Sequence, residues 1–219
     1  HLPDSVPFDV AAASPGAGFT AYQAIMQKLR VKSGKTILIH GGAGGVGGNA
    51  VQLAKLAGLT VYSTCLPTDL GYVKKLGADR AIDFVNEDVY RIVHELTDGL
   101  GVDYVLNVLG TDSATKDIDI LAFNGELVVT AGFPDFDKIN FYEKGLSIHE
   151  IALGLALTSE DYRAKENLVQ IGDQFANLLE NQSLIPPKIT LISLEEIPEF
   201  LNKMKNGKVT GKIVAKLYN

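Results

Sequence analysis

Residues 35–58 read KTILIHGGAGGVGGNAVQLAKLAG, and the fold follows from the way this stretch changes character twice. The apolar run Ile37 to Ile39 has the pattern of a buried strand. It breaks into a glycine-rich turn, after which Val46, Ala50, Leu53, Ala54 and Ala57 recur on one face of a helix. Within the turn, Gly42, Gly44 and Gly47 satisfy G-x-G-x-x-G, the spacing that seats the pyrophosphate of a dinucleotide between a strand and its following helix. Gly42 is expected to turn the chain sharply off the strand, Gly44 to let backbone approach a pyrophosphate, and Gly47 to let the helix lie close to the strand. The helix N-terminus then offers N–H groups and a positive dipole end to the phosphates. Glycine clusters also occur in plain turns, but here both the strand before and the helix after are legible. A mononucleotide phosphate loop needs Lys and then Ser or Thr after its last glycine; Gly48 and Asn49 follow Gly47, and that reading fails.

Working outward, the same alternation continues. The expected strands after the first are 59–64, 80–84, 102–110, 126–132 and 146–153, and the helices between them are 70–79, 88–98 and 113–122, the last followed by an Asn124-Gly125 turn. Residues 17–30 form a helix ahead of the first strand. Regular strand–helix alternation means right-handed crossovers and a parallel sheet covered on both faces. The expected architecture is α/β and doubly wound, a six-stranded parallel sheet in the order 3-2-1-4-5-6, with a ligand at the carboxyl ends near the glycine turn. The tail departs from this rhythm. A long polar helix covers 160–181, Pro186-Pro187 end the alternation, and 188–193, 195–207 and 212–217 read as strand, helix and strand with no place in the six-stranded sheet.

Bulk properties exclude several classes. The 219 residues carry a net charge of −6, which argues against nucleic acid or an anionic membrane as partner. No stretch reaches the roughly 18 apolar residues that span a bilayer. The lone Cys65 permits no internal disulfide, as in a reducing compartment. The start, HLPDSVPF, has an acid and prolines where a secretory leader is basic and then apolar. The expectation is a cytoplasmic protein, and, with no initiating Met, a shortened one.

Several segments, in order, resemble the medium-chain dehydrogenase/reductase superfamily, specifically its zinc-free quinone-oxidoreductase branch. They are GFTAYQAI (18–25), ILIHGGAGGVGGNAVQLAK (37–55), KKLGADRAIDF (74–84), GVDYVLNVLG (101–110), GELVVTAG (125–132) and GKIVAKL (211–217). The resemblance implies a Rossmann-type dinucleotide-binding domain over 17–185. It also implies that 1–16 and 186–219 belong to, or bridge to, a GroES-like substrate domain whose N-terminal part, about 100 residues or more, is missing. It further implies that Gly44, Gly45, Val46 and Gly47 face the pyrophosphate and that Thr64 and Cys65 lie by the adenosine ribose. Asn107, Gly110, Ala131 and Gly132 would flank the adenosine and nicotinamide ribose, with Thr20 near the nicotinamide. For Asn107 and Thr20 the competing role is turn or helix capping. Catalytic residues are not legible. The Tyr-x-x-x-Lys of short-chain reductases is absent, since Tyr162 to Lys165 and Tyr72 to Lys75 are one residue too close.

Zinc-dependent relatives place a cysteine near PGAGFTAY, where this chain has Ala17, and the four-cysteine structural lobe is absent. The histidines at 1, 40, 94 and 149 are scattered, and His40 reads as a packing or hydrogen-bonding residue, so no zinc is expected. NAD-binding enzymes place an acid at the end of the second strand, about 20 residues past the glycines. That end reads Ser63-Thr64-Cys65-Leu66, which favours NADP(H), with NAD(H) as the other option. Asp69 and Phe84 stand where some relatives have a phosphate-binding lysine and a tyrosine; Lys74, Lys75 or Lys208 could supply the charge instead. The activity implied is zinc-independent hydride transfer to a quinone or an α,β-unsaturated carbonyl, a small-molecule substrate. Alcohol dehydrogenase-type carbonyl reduction, a non-catalytic nucleotide module and a methyltransferase are the alternatives; the missing acid after strand two speaks against the last. An open apolar edge at 146–153 predicts a homodimer.

Overall fold

In chain order the elements are α1 (Phe8–Ala13), a helical stretch α2 over 15–28, β1 (Thr36–Ile39), α3 (Gly45–Leu56), β2 (Thr60–Cys65), α4 (Leu70–Lys75), β3 (Arg80–Asp83), α5 (Val89–Leu96) and β4 (Val102–Asn107). There follow α6 (Thr111–Asp117), β5 (Leu121–Val129), β6 (Ser147–Glu150), α7 (Leu153–Thr158), α8 (Tyr162–Glu180), β7 (Ile189–Ile192), α9 (Ile197–Lys205) and β8 (Lys212–Ala215). This computed structural model describes residues 2–140, 142–207 and 209–217, so His1 and Lys208 lie outside the described residues.

Strand β1 sits in mid-sheet because both of its faces are apolar. Ile37 and Ile39 enter one core with α2, α3 and α8, whereas Leu38 enters the other with α5 and α6. All three are fully buried, and each such side chain is worth about 1.5–3 kcal/mol of transfer free energy. The six strands run parallel in the order β3-β2-β1-β4-β5-β6, as expected. Among the described residues no helix is long and apolar enough to cross a membrane.

Helix α2 departs from plain α pitch: a central turn, Thr20–Tyr22, is flanked by wider π turns at Pro15–Phe19 and Gln23–Lys28. Its partner is α8. Buried Phe175 meets Phe19 edge to face at 5.9 Å and fills the space where a side chain on Gly18 would be. β7 and β8 pair with each other in a separate parallel sheet, and α1 packs against both. Gln52 of α3 anchors the segment leading there, accepting from Ile185 N at 2.7 Å and donating to Ile185 O at 3.1 Å.

Several boundaries differ from expectation, three of them with an identifiable local change. The fourth strand ends at Asn107 rather than 110, because the Asn107 carboxamide oxygen accepts from Leu109 N and Gly110 N and turns the backbone aside. The Asn124-Gly125 pair does not separate a helix from a strand. β5 already runs from Leu121, and the pair sits in an irregularity where register jumps from Val102↔Leu121 to Tyr104↔Glu126, with Asn124 at φ 59°. The sixth strand stops at Glu150, and Leu153 opens α7.

Phe175→Ala is expected to cost about 3–5 kcal/mol, the range for emptying a buried aromatic site, read as a fall in the denaturation midpoint. A loss under about 1 kcal/mol would mean that α8 does not clamp α2. A second outcome concerns acid. Burial pushes the Asp103 carboxyl up, but hydrogen bonds from Lys35 Nζ (2.8 Å), Thr36 N (2.9 Å) and Thr36 Oγ1 (3.0 Å) outweigh it and hold the group below its ordinary value. A folded value below the unfolded one adds stability that is present above the unfolded pKa and lost as pH falls through the folded pKa. Stability should therefore drop on acidification from about pH 5 to pH 3, and Asp103→Asn should show a shallower drop in urea titrations. An equally steep acid limb in the variant would refute this.

Candidate functional site

The chain leaves β1 through His40 and turns at Gly41, whose φ of +69° lies in the left-handed region. The sharp turn thus belongs to Gly41, not to Gly42 as expected. Gly42 is required for a different reason: a Cβ there would collide with the Ser63 side chain on β2. Gly47 behaves as expected, since its Cβ would fall on the Gly41 carbonyl and push α3 off the end of β1. Gly42 N donates to Thr64 O at 2.8 Å, and Gly44 N donates to Gly41 O at 2.9 Å, which closes the turn.

The glycines divide by exposure. Gly42 and Gly47 are buried spacers, whereas Gly44 is exposed and Gly45 and Val46 are half-buried. Gly44 is extended (φ −79°, ψ 172°) and no side chain caps the helix that starts at Gly45. The N–H groups of Gly45, Val46 and Gly47 therefore lack an intrahelical acceptor at the positive end of a 12-residue helix. Lys212 of β8 lies over this end, with Cε and Nζ 2.5 and 2.9 Å from where a Gly45 Cβ would stand, and it forms no ion pair among the described residues. A cation beside the positive end of a helix raises the local potential further. An anion is the group that relieves it. Glycine where a Cβ would block approach, uncapped amides and a lysine without a carboxylate together suit a diphosphate.

Beyond the glycine turn, on the side of β4, lie the turns after β4 and β5. Gly110 (φ +118°) precedes α6 and Gly132 (φ +140°) follows β5; a Gly132 Cβ would lie 3.9 Å from Gly110 Cα, so Gly110, Ala131 and Gly132 come together. Gly41 approaches the first of these turns, its notional Cβ 3.4 Å from Val108 Cγ2. Thr20 stands one helical turn beyond Ala17, which touches the Gly45 position, and donates its hydroxyl to Gly16 O at 2.8 Å, a bond to the carbonyl four residues back within the helix rather than a cap.

Side chains of the other expected residues are turned inward. Cys65 is buried, and burial first, then the negative charges of Asp69, Asp83 and Glu87, push its thiol up to about 11. Asn107 is fully buried and its polar atoms are all engaged. Nδ2 donates to Ser113 Oγ (2.9 Å) and Asp117 Oδ2 (2.6 Å), and Oδ1 accepts the two loop amides. Thr64 Oγ1 accepts from Gly41 N at 3.0 Å and lies 3.4 Å from His40 Nδ1. His40 Nε2 lies 2.9 Å from Asp117 Oδ1, both side chains being almost wholly buried. Tyr90 reaches Asp117 Oδ1 at 3.4 Å; burial first, then the Asp117 charge, raise its hydroxyl to about 12.

At the end of β2, Asp69 is buried and paired with Lys188 Nζ at 3.5 Å, and that ammonium also stands 4.2 Å from the Tyr72 ring. Lys74 and Lys75 are exposed on α4, and Phe84 is exposed. Lys188 and Lys212 were not marked by the sequence. Both sit in the tail, and only the position of GKIVAKL within an ordered set of segments hinted that the tail returns to the glycine turn. Among the described residues no three His, Cys, Asp or Glu side chains gather as a metal site. His94 lies exposed on α5, and His149 pairs with Glu126 at 2.9 Å.

Residues 45–170 match the family model described as zinc-binding dehydrogenase. The chain is 30% identical over 230 aligned residues to a phenolphthiocerol/phthiocerol polyketide synthase of Mycobacterium tuberculosis, covering 97% of this chain and 10% of that protein. It is 38% identical over 129 residues to a quinone oxidoreductase of Pseudomonas aeruginosa, covering 58% of this chain and 40% of the other. Among solved structures, the quinone oxidoreductase of Pseudomonas syringae pv. Tomato DC3000 superposes with a TM-score of 0.84 at 29% identity, over 98% of this chain and 66% of that one. The chain thus spans about a tenth of the polyketide synthase and less than half of the curated quinone oxidoreductase.

Gly47→Ala tests the close approach. Ala gains about 1 kcal/mol of helix propensity over Gly, but its Cβ meets backbone that cannot yield, at an expected cost of about 1–3 kcal/mol. Gly45→Ala meets side-chain atoms, the flexible end of Lys212 and the Ala17 Cβ at 3.0 Å, and should cost less stability than Gly47→Ala because no backbone has to yield. Thermal denaturation with the two variants ranking the other way would overturn this account of the turn.

Proposed function

This chain belongs to the zinc-binding dehydrogenase family of the medium-chain dehydrogenase/reductase superfamily, and from that premise we propose that it is the dinucleotide-binding part of a zinc-independent NADP(H)-dependent oxidoreductase acting on a quinone or an α,β-unsaturated carbonyl. The observation that carries the reading is the uncapped start of α3 beneath Lys212. The amides of Gly45, Val46 and Gly47 and the Lys212 ammonium hold the diphosphate, and Gly44, without a side chain, leaves the approach open. Gly42 and Gly47 keep that cradle shallow. Backbone at Thr64 and Cys65 borders the adenosine ribose, and Gly110, Ala131 and Gly132, with Thr20 opposite, border the nicotinamide half. Asn107 serves this site through the loop amides it holds. When bound, the nicotinamide supplies the hydride.

The two substrate classes share one chemistry, because a quinone is itself a doubly conjugated enone. Either one takes hydride at a carbon and gathers negative charge on its carbonyl oxygen. This chain orients the cofactor and contributes no legible proton donor. Zinc independence is supported by the residues themselves: Ala17 lacks a ligating atom, Cys65 is a buried protonated thiol, and His40 is committed to Asp117. The preference for NADP(H) over NAD(H) is supported by the absence of an acid at Thr64-Cys65 and by Lys188, which neutralises Asp69 a few residues on. The outer strand β6 has one edge open, and self-pairing there supports a homodimer through 146–153.

NADPH should bind this chain with a calorimetrically measurable constant. Lys212→Ala should weaken it about tenfold, the scale of one charge-assisted contact, and Lys188→Ala should narrow the NADPH-over-NADH preference by a similar factor. Turnover of a simple quinone should be low until the rest of the domain is supplied in a longer form. Equal turnover by both forms refutes the incomplete-domain reading, and binding by both without turnover favours a non-catalytic nucleotide module. Light scattering should give twice the chain mass; a monomer mass overturns the dimer.

A further inference from the structure

Two series of hydrogen bonds start at the turns after β1 and β4 and meet on one buried carboxylate. Their direction can be assigned from both ends, because a backbone N–H can only donate and an ionised carboxylate can only accept. On one side Gly41 N donates to Thr64 Oγ1 (3.0 Å), leaving the Thr64 hydroxyl proton for His40 Nδ1 (3.4 Å). His40 Nε2–H then points to Asp117 Oδ1 (2.9 Å). On the other side Leu109 N and Gly110 N donate to Asn107 Oδ1 (2.9 and 3.2 Å), which fixes the carboxamide, so that Nδ2 donates to Asp117 Oδ2 (2.6 Å). The Tyr90 hydroxyl adds a third donor to Asp117. With His40 neutral and protonated on Nε2, every proton in both series has an acceptor. Protonating Nδ1 as well would leave the Thr64 hydroxyl proton without one.

We propose that Asp117, acting through His40 and Asn107, is a positioning residue that locks the phosphate-facing turn after β1 to the loop after β4. This rests on the dinucleotide reading above for its functional consequence, but not for its geometry. The carboxylate is needed because it is the one group in the network that carries no proton and can therefore end both series. Asparagine has the same shape and cannot do so. Its amide must face one arm, and that arm has to reverse. If it faces His40, the ring takes the Nδ1–H tautomer and the Thr64 hydroxyl loses its acceptor. If it faces Asn107, that carboxamide flips and releases the amides of Leu109 and Gly110.

The test is Asp117→Asn in this chain, followed by amide hydrogen exchange, imidazole ¹⁵N shifts and NADPH titration. The unsubstituted protein should show a neutral His40 protonated on Nε2. In the variant one arm should lose protection selectively, either Gly41 with a tautomer change at His40, or Leu109 and Gly110 without one. NADPH affinity should fall about tenfold, the scale of a buried hydrogen bond left unmade. Unchanged exchange in both arms overturns the proposal, and so does a uniform loss of protection across the sheet, which marks Asp117 as ordinary core. Should Asp117→Asn fail to fold, Thr64→Val cuts one arm at its far end. It should expose Gly41 alone, weaken NADPH and be rescued by Thr64→Ser; protection at Gly41 equal to that of the unsubstituted chain overturns the proposal. If the unsubstituted chain does not bind NADPH, the functional reading fails, while exchange and ¹⁵N shifts still decide this one.

Discussion

The structure depends on one close approach, the seating of α3 on the turn after β1, where Gly47 leaves no room for even a methyl group above the Gly41 carbonyl. Because the helix can come this close, its first amides lie at the carboxyl end of the sheet, and β2 and β4 supply the surroundings. Ser63 fills the space beside Gly42, Val108 packs at Gly41, and Thr64 receives the Gly41 amide. A glycine at the helix start in place of a side-chain cap costs only about a few tenths of a kcal/mol. On the function proposed above, the missing cap is also the feature that suits the site to an anion, so a small loss in stability and the chemistry of the site would have the same origin.

The polar groups beneath the turn follow a second logic. A wholly buried carboxylate is unfavourable unless hydrogen bonds replace its water. Asp117 receives them from His40, Asn107 and Tyr90, which come from β1's exit, β4 and α5. Replacing the set by apolar groups of similar volume could cost little stability or even add some. What such a replacement would remove is direction, since apolar packing tolerates small slides and a chain of hydrogen bonds with assigned donors does not.

Much of this was legible in the sequence, and the misses share a cause. Alternating apolar runs and helical faces gave the strand order, because a right-handed crossover leaves few ways to wind the sheet. The division of labour among the glycines differs from the motif's at Gly42, since the spacing G-x-G-x-x-G does not say which neighbour carries the left-handed φ. The preceding Gly41 does. Asn107 and Thr64 stood at the correct strand ends, but whether such a side chain faces a ligand or the interior depends on partners distant in sequence. Asp117, 77 positions beyond His40, is invisible to any local pattern. The same holds for Lys212, whose place over Gly45 is fixed by β8 pairing with β7.

That last placement bears on how the two ends of the chain relate to the site. α1 packs against β7 and β8, so the first helix and the last strand belong to one small body, with α2 and the Gln52–Ile185 contact linking it to the large sheet. A lysine carried on that body approaches the helix start from outside the sheet. Its distance from Gly45 is therefore set by how the small body sits, not by the glycine turn. An anion held between them would draw the two together, because the amides belong to one body and the ammonium to the other. On the function proposed above, affinity for the diphosphate and order between the bodies would be one free energy seen from two sides. Whatever steadies β7 and β8 should tighten the ligand by the same amount that the ligand steadies them.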